Sequence, residues 1–140
     1  MVSKILVAVD GSECARKAFD SALKIGKDLG AKVIVLTVVQ PPSMITTQKD
    51  LQGTIEMLLE KEAKIMLANY GTIAEKRGVD FETILAIGYP SRVILNTAES
   101  KEADLIVVGS RGLGGLKELF LGSVSHSVVQ NADIPVLIVK

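Results

Sequence analysis

Apolar residues fall along this chain in two alternating rhythms. Five short runs are rich in apolar residues, Val and Ile above all, at residues 4–10, 32–39, 79–87, 104–109 and 134–139, the third with partial alternation. Runs of that length and composition suit strands buried on both faces. Between them apolar residues recur at three and four, the spacing of an amphipathic helix. The first such stretch carries Phe19, Ala22, Leu23, Gly26 and Leu29; the second carries Leu51, Ile55, Leu58, Leu59, Ala63, Met66 and Leu67. The second predicts a long helix over residues 50–77, with Gly71 a weak point inside it, and shorter helices are predicted over 91–101 and 123–131. The punctuation agrees. Ser12 offers a hydroxyl to the first turn of the first helix, and Gly30 stands where a helix ends. Residues 40–49, with two prolines, read as a loop.

The resulting order, β-α-β-α-β-α-β-α-β, predicts an α/β fold: a doubly wound, five-stranded parallel sheet with helices on both faces. Right-handed crossovers leave few arrangements. Placing the one reversal between strands one and four gives the spatial order 3-2-1-4-5. Ligands of such sheets bind at the carboxyl ends of the strands beside the reversal, which puts Asp10 and Gly109 at the rim of the expected site.

Composition narrows the picture. Only 4% of the residues are aromatic, so the core must be built from Val, Ile, Leu and Ala. Lys plus Arg and Asp plus Glu are equal at 16 each, which argues against broad electrostatic binding to nucleic acid or an anionic membrane. Cys14 is the only cysteine, so no internal disulfide forms, and a reducing compartment is expected. The apolar run at the start is too short for a signal peptide, and no window reaches the roughly 20 apolar residues of a spanning helix. The expectation is a cytoplasmic protein with residues 1–140 as one domain.

The segment richest in chemistry runs from Gly109 to Ser125, with five glycines, Gly109, Gly112, Gly114, Gly115 and Gly122, within fourteen residues. Glycines let a backbone approach a ligand closely, and successive bare N–H groups form an anion nest. Gly122-Ser123 opens a helix, whose free N–H groups and dipole also favour phosphate. Ser123 and Ser125 can add hydroxyl donors. Composition alone also fits a plain flexible loop, but the spacing Gly109-x2-Gly112-x9-Gly122-Ser123 does more. It resembles the ATP-binding signature of universal stress proteins, G-2x-G-9x-G-S/T, at every fixed position. The opening KILVAVDGSE, the strand DLIVVGSRG and the closing PVLIV are similar as well, so the resemblance covers essentially the whole chain.

That resemblance implies a Rossmann-like fold of the adenine nucleotide alpha hydrolase type and a site for ATP, with Mg²⁺ or Mn²⁺ carried by the nucleotide. It implies that Asp10 faces the nucleotide, that main chain at Ala8 and Val9 lines the cleft, and that adenine is read by backbone at Val38. Ribose and phosphates would lie along Gly109, Gly112, Gly122, Ser123 and Val124, with Ser125 beside them and Ser110 and Arg111 within the loop. Family members commonly dimerise through the last strand. Here that strand is an edge, apolar on both faces, which templates pairing with another chain. Lys140 is the last residue given, so a second copy is the natural cover. A further protein partner, of unknown identity, would read the nucleotide-bound state.

Other readings are weaker. A true ATPase would need charge stabilisation and a base for water, and Gly26-Lys27 is followed by Asp28 on a helix, which is no Walker A lysine. Slow hydrolysis at most is expected. A phosphate-accepting receiver needs an aspartate at the tip of strand three, where Ile87-Gly88-Tyr89 stands. A flavin carrier would want aromatics, and the chain has no Trp and two Tyr. Cys14 reads as a packing residue, His126 as a solvated or packed one, and Met44, Met57 and Met66 as loop and core.

Overall fold

In the protein's structure, a computed structural model, residues 1–112 and 121–140 are described. The elements run β1 (Lys4–Ala8), α1 (Glu13–Leu29), β2 (Lys32–Val39), a 3₁₀ turn (Pro42–Met44), α2 (Lys49–Lys76), β3 (Phe81–Ile87), α3 (Pro90–Ser100), β4 (Leu105–Gly109), α4 (Ser123–Asn131) and β5 (Val136–Val139). All strand pairs are parallel and the order is β3-β2-β1-β4-β5, as the sequence predicts. β1 therefore has β2 on one side and β4 on the other, and the chain reverses its winding there.

The strand pleat divides the core in two. Val33 and Val35 of β2 face α1 and α2, with Phe19, Leu23, Leu67 and Ala74. Ile34 and Leu36 face the opposite way, onto Ile94 and Ala98 of α3 and Val128 of α4. Both faces are covered, which is why the strands read as continuous apolar runs. At the start of α1, Ser12 is the N-cap and accepts the Ala15 N–H at 3.1 Å; at its end Gly30 is left-handed and binds the last carbonyls.

Two boundaries differ from the pattern. β1 ends at Ala8, so Val9 and Asp10 form a tip beyond the paired strand, and β5 begins at Val136. The larger departure is in α2. Of its predicted apolar face, Ala63 and Leu67 are buried, but Leu51 and Leu58 stay 47% and 58% exposed. Length explains this. A helix of 28 residues spans ~42 Å, whereas the eight residues of β2 span ~26 Å. α2 runs opposite to the strands, so its N-terminal half overhangs their carboxyl ends with no sheet beneath. Gly71, the expected weak point, lets α2 lie close against β3: a Cβ there would stand 3.2 Å from the Phe81 ring.

Candidate functional site

Three elements meet where β1 and β4 part. The first is the β1 tip. Gly11 takes φ +86°, a conformation that favours glycine. The turn it makes lets the Ser12 N–H donate to Asp10 Oδ1 at 2.9 Å. This local bond aims the Asp10 carboxylate, and the aspartate is followed at once by the N-terminus of α1.

The second is the β4 tip. The Ile106 N–H donates to the Pro135 carbonyl and the Ser110 N–H to Val139, at 3.0 and 2.7 Å. Successive residues of a strand point their N–H and C=O groups to opposite sides. Ser110 is thus spent on β5, and Gly109 faces the β1 side, past the point where β1 ends. A Cβ on Gly109 would stand 2.8 Å from the Cys14 carbonyl carbon, so this glycine is required by the close approach of α1. A Cβ on Gly112 would lie 2.7 Å from Asp10 Oδ2, so the start of the glycine loop rests against the aspartate.

The third is the N-terminus of α4. Gly122 is its N-cap and has no side chain to cap with. The first N–H to bond back is that of His126, to the Gly122 carbonyl at 2.9 Å. The amides of Ser123, Val124 and Ser125 therefore precede the intrahelical ladder and form the open positive end of the helix. The loop is closed onto this end: the Gly122 N–H donates to the Ser110 carbonyl at 2.7 Å, and a Cβ on Gly122 would lie 3.4 Å from that oxygen and from Arg111 Cα.

The structure thus brings Ala8, Val9, Asp10, Gly109, Ser110, Arg111, Gly112, Gly122, Ser123, Val124 and Ser125 together at the carboxyl ends of β1 and β4 and the start of α4, while Gly114 and Gly115 lie outside the described residues. Val38 stands across the β1 tip from them, two residues beyond the last β1–β2 pair, Ala8 with Leu36. The two serines take different positions. Ser123 is exposed. Ser125 is buried, its Oγ 2.9 Å from the Ser110 carbonyl and 3.1 Å from that of Gly122. With its one proton used on these, the Ser125 hydroxyl ties loop to helix, which differs from the expected phosphate donor.

Cys14 Sγ lies under the loop, 3.9 Å from Ser110 Oγ, and His126 is exposed. Among the described residues, no group of three His, Cys, Asp or Glu side chains could hold a metal ion, and no helix is long and apolar enough to cross a membrane. A separate groove of about 500 Å³ runs between α1 and α2, past Phe19, Met66, Tyr70 and Ile73, and holds none of these residues. Burial, and secondarily the Asp10 charge, pushes the Tyr70 phenol up. Two residues escaped the sequence reading. Ser12 aims Asp10 as well as capping α1, and Thr37 is a buried hydroxyl bound to the Val9 carbonyl at 2.8 Å. The signal for Thr37 was its place as the one polar residue in the run VIVLTVV.

Known proteins are similar to this chain in sequence and fold. The family model for the Universal stress protein family matches residues 1–140. Universal stress protein YxiE of Bacillus subtilis is 41% identical, with all of each chain covered. The solved structure of protein MJ0577 superposes with a TM-score of 0.90 at 32% identity, covering 100% of this chain and 96% of that one. A universal stress protein in complex with cAMP matches at TM-score 0.74 and 28% identity, over 99% and 96% of the two chains. One from Archaeoglobus fulgidus in complex with dAMP matches at 0.72 and 25%, over 100% and 98%.

Proposed function

The chain belongs to the universal stress protein family, and from that premise we propose that it binds ATP in the cleft between the β1 and β4 tips and acts as a nucleotide-dependent regulatory protein. The observation that carries this is the coincidence of motif and geometry. The residues of the G-2x-G-9x-G-S spacing surround the one place where a doubly wound sheet opens. The amides of Ser123 and Val124, which precede the intrahelical ladder, and the dipole of α4 suit phosphate oxygens, and Gly109 and Gly112 admit the ligand close to main chain. The neighbours solved with cAMP and dAMP support an adenine nucleotide.

Asp10 is the carboxylate suited to hold Mg²⁺ or Mn²⁺ arriving with the nucleotide. The metal would offset phosphate charge beside that carboxylate. Arg111 adds a cation at the loop. No residue among those described is placed as a base for water, so binding and release, not turnover, set the state that a protein partner reads, and slow hydrolysis at most is expected. Denaturing freshly purified protein should release ATP or a related adenine nucleotide, and calorimetric titration of stripped protein should give one site per chain. Titration without heat of binding for ATP, ADP or AMP overturns the reading.

A homodimer through β5 belongs to the same proposal. β5 is one of the two edges of the sheet, and Leu137 on it is 37% exposed. A two-fold axis would pair the strand with its copy. Val136 and Ile138 pack against the α3–α4 face, so Leu137→Lys is the variant that strikes the edge and spares the core. It should yield single chains in sedimentation equilibrium at micromolar concentration, where wild type sediments as two. A wild-type mass of one chain sinks the dimer.

A further inference from the structure

We infer that Thr37 is a positioning residue for base recognition: its hydroxyl takes the place of a strand hydrogen bond and so leaves the Val38 N–H open to the nucleotide. The inference rests on the adenine reading above and adds to it the means by which the main chain of β2 becomes a reader.

In a parallel pair, a residue of one strand donates to its neighbour strand one position back and accepts from it one position on. The Val9 N–H donates to the Leu36 carbonyl at 2.9 Å. Leu36 therefore points toward β1, and so does Val38 two residues later. Thr37 and Val39 point the other way, as the bond from the Gly88 N–H to the Val39 carbonyl at 3.0 Å requires. The next rung on the β1 side would run from the Val38 N–H to the Val9 carbonyl. In its place the Val9 carbonyl accepts the Thr37 Oγ1 hydroxyl at 2.8 Å. Val9 and Thr37 are both buried, 2% and 4% exposed, so that carbonyl must have a partner inside the protein. Thr37 supplies one from the face of α1 and α2. β1 can then turn away at Asp10 without stranding a polar group.

The consequence lies at Val38, which is half-buried between buried neighbours. Its N–H and C=O leave the strand on the same side, into the opening beyond the end of β1. A donor beside an acceptor matches an adenine edge, where a ring nitrogen accepts next to an amino group that donates. Hypoxanthine presents an oxygen in place of the amino group and sets acceptor against acceptor. Without the Thr37 hydroxyl, the Val9 carbonyl would recapture the Val38 N–H, the ladder would lengthen by one rung, and the reader would be lost.

Calorimetric titration of stripped wild type, Thr37→Val and Thr37→Ser with ATP, ITP and tripolyphosphate tests this. Wild type should prefer ATP to ITP. Thr37→Val, nearly the same shape, should lose about tenfold in ATP affinity, with the ATP to ITP ratio falling toward one and tripolyphosphate unchanged. Thr37→Ser, which keeps the hydroxyl, should stay within about threefold of wild type in both. A folded Thr37→Val with the wild-type ratio overturns the inference while leaving ATP binding intact, and so does a Thr37→Ser that loses as much as Thr37→Val. Wild type that binds no nucleotide overturns the adenine reading and this inference together. Amide exchange in the unmutated protein is the second measurement, independent of whether the variant folds. The Val38 amide should exchange at least tenfold faster than that of Leu36 without nucleotide, and become protected with ATP. Protection of Val38 in the free protein overturns the inference.

Discussion

β1 and β4 are joined at one end and parted at the other, and the proposed site lies at the parted end. At their amino ends the strands are stitched. Asp104 accepts the Ser3 N–H, the Ser3 hydroxyl and the Lys4 N–H at 2.8, 2.9 and 3.0 Å, and the Asp104 N–H donates to the Lys4 carbonyl at 2.8 Å. At their carboxyl ends Gly109 faces β1 where β1 has stopped, Val38 faces it from the other side, and α4 presents its open amides. The same two strands thus carry a closed end that fixes register and an open end that has backbone groups to offer. A substitution at the open end should change binding more than stability, and one at the closed end the reverse.

Gly122→Val should show the largest effect at the open end. A Cβ at Gly122 already lies 3.4 Å from the Ser110 carbonyl and Arg111 Cα, and two γ-carbons would push into the mouth of the loop. Its φ of −70° is open to any residue, so the backbone itself carries no strain. The expected result is loss of ATP affinity by about a hundredfold or more with a retained far-ultraviolet dichroism spectrum. Gly122→Ala should show a smaller loss in the same direction. Unchanged affinity in the folded valine variant would remove the glycine loop from the site.

Ser123→Ala sharpens the division within the open end. Its hydroxyl is exposed at the first turn of α4, and a hydrogen bond to a charged group contributes about 1.5–3 kcal/mol. ATP affinity should fall roughly tenfold or more, while adenosine affinity holds. Equal losses for both ligands would mean that this hydroxyl does not meet phosphate. Ser125→Ala differs, because that hydroxyl holds the Ser110 carbonyl: it should lower the melting temperature as well as the affinity.

How much of this could be read from the sequence follows from what each feature depends on. Strand order and the place of the opening were legible, since apolar runs and helical spacing fix the alternation of elements and handedness does the rest. The proposed phosphate half of the cleft has a mark in the letters, glycines at fixed spacing. The proposed base half came only through the family resemblance, because a base read at Val38 would be read through main chain, and any residue has one. Its orientation depends on which rung β1 ends at, and the hydroxyl that decides this, Thr37, looks like a lone impurity in an aliphatic strand. The sequence also could not separate Ser123 from Ser125, which lie two residues apart on a helix and so point to different sides. The overhang of α2 was hidden because the apolar period persists beyond the last strand that could cover it.

The closed end makes the smallest prediction. Hydrogen bonds from the Ser3 main chain, then the Lys4 main chain and the Ser3 hydroxyl, hold the Asp104 carboxyl below the usual carboxylate range. A folded value below the unfolded one, ~3.9 for an ordinary aspartate, means that the staple stabilises fully above the unfolded value. Its contribution is lost as pH falls through the folded value. Asp104→Asn removes the charge and keeps one acceptor oxygen. Its melting temperature should lie below that of wild type by a small, constant amount from neutral pH down to about pH 5, well above the aspartate range. The gap should narrow below about pH 4 and close once the wild-type carboxyl is protonated. The carboxylate is exposed, so solvent screening keeps the whole effect small. ATP affinity at neutral pH should be that of wild type, since the staple lies at the far end of β1 from Asp10. A gap that widens on acidification would mean that the carboxylate, not its protonated form, is the strained state. A loss of ATP binding in the folded variant would show that the two ends of the strand pair are coupled.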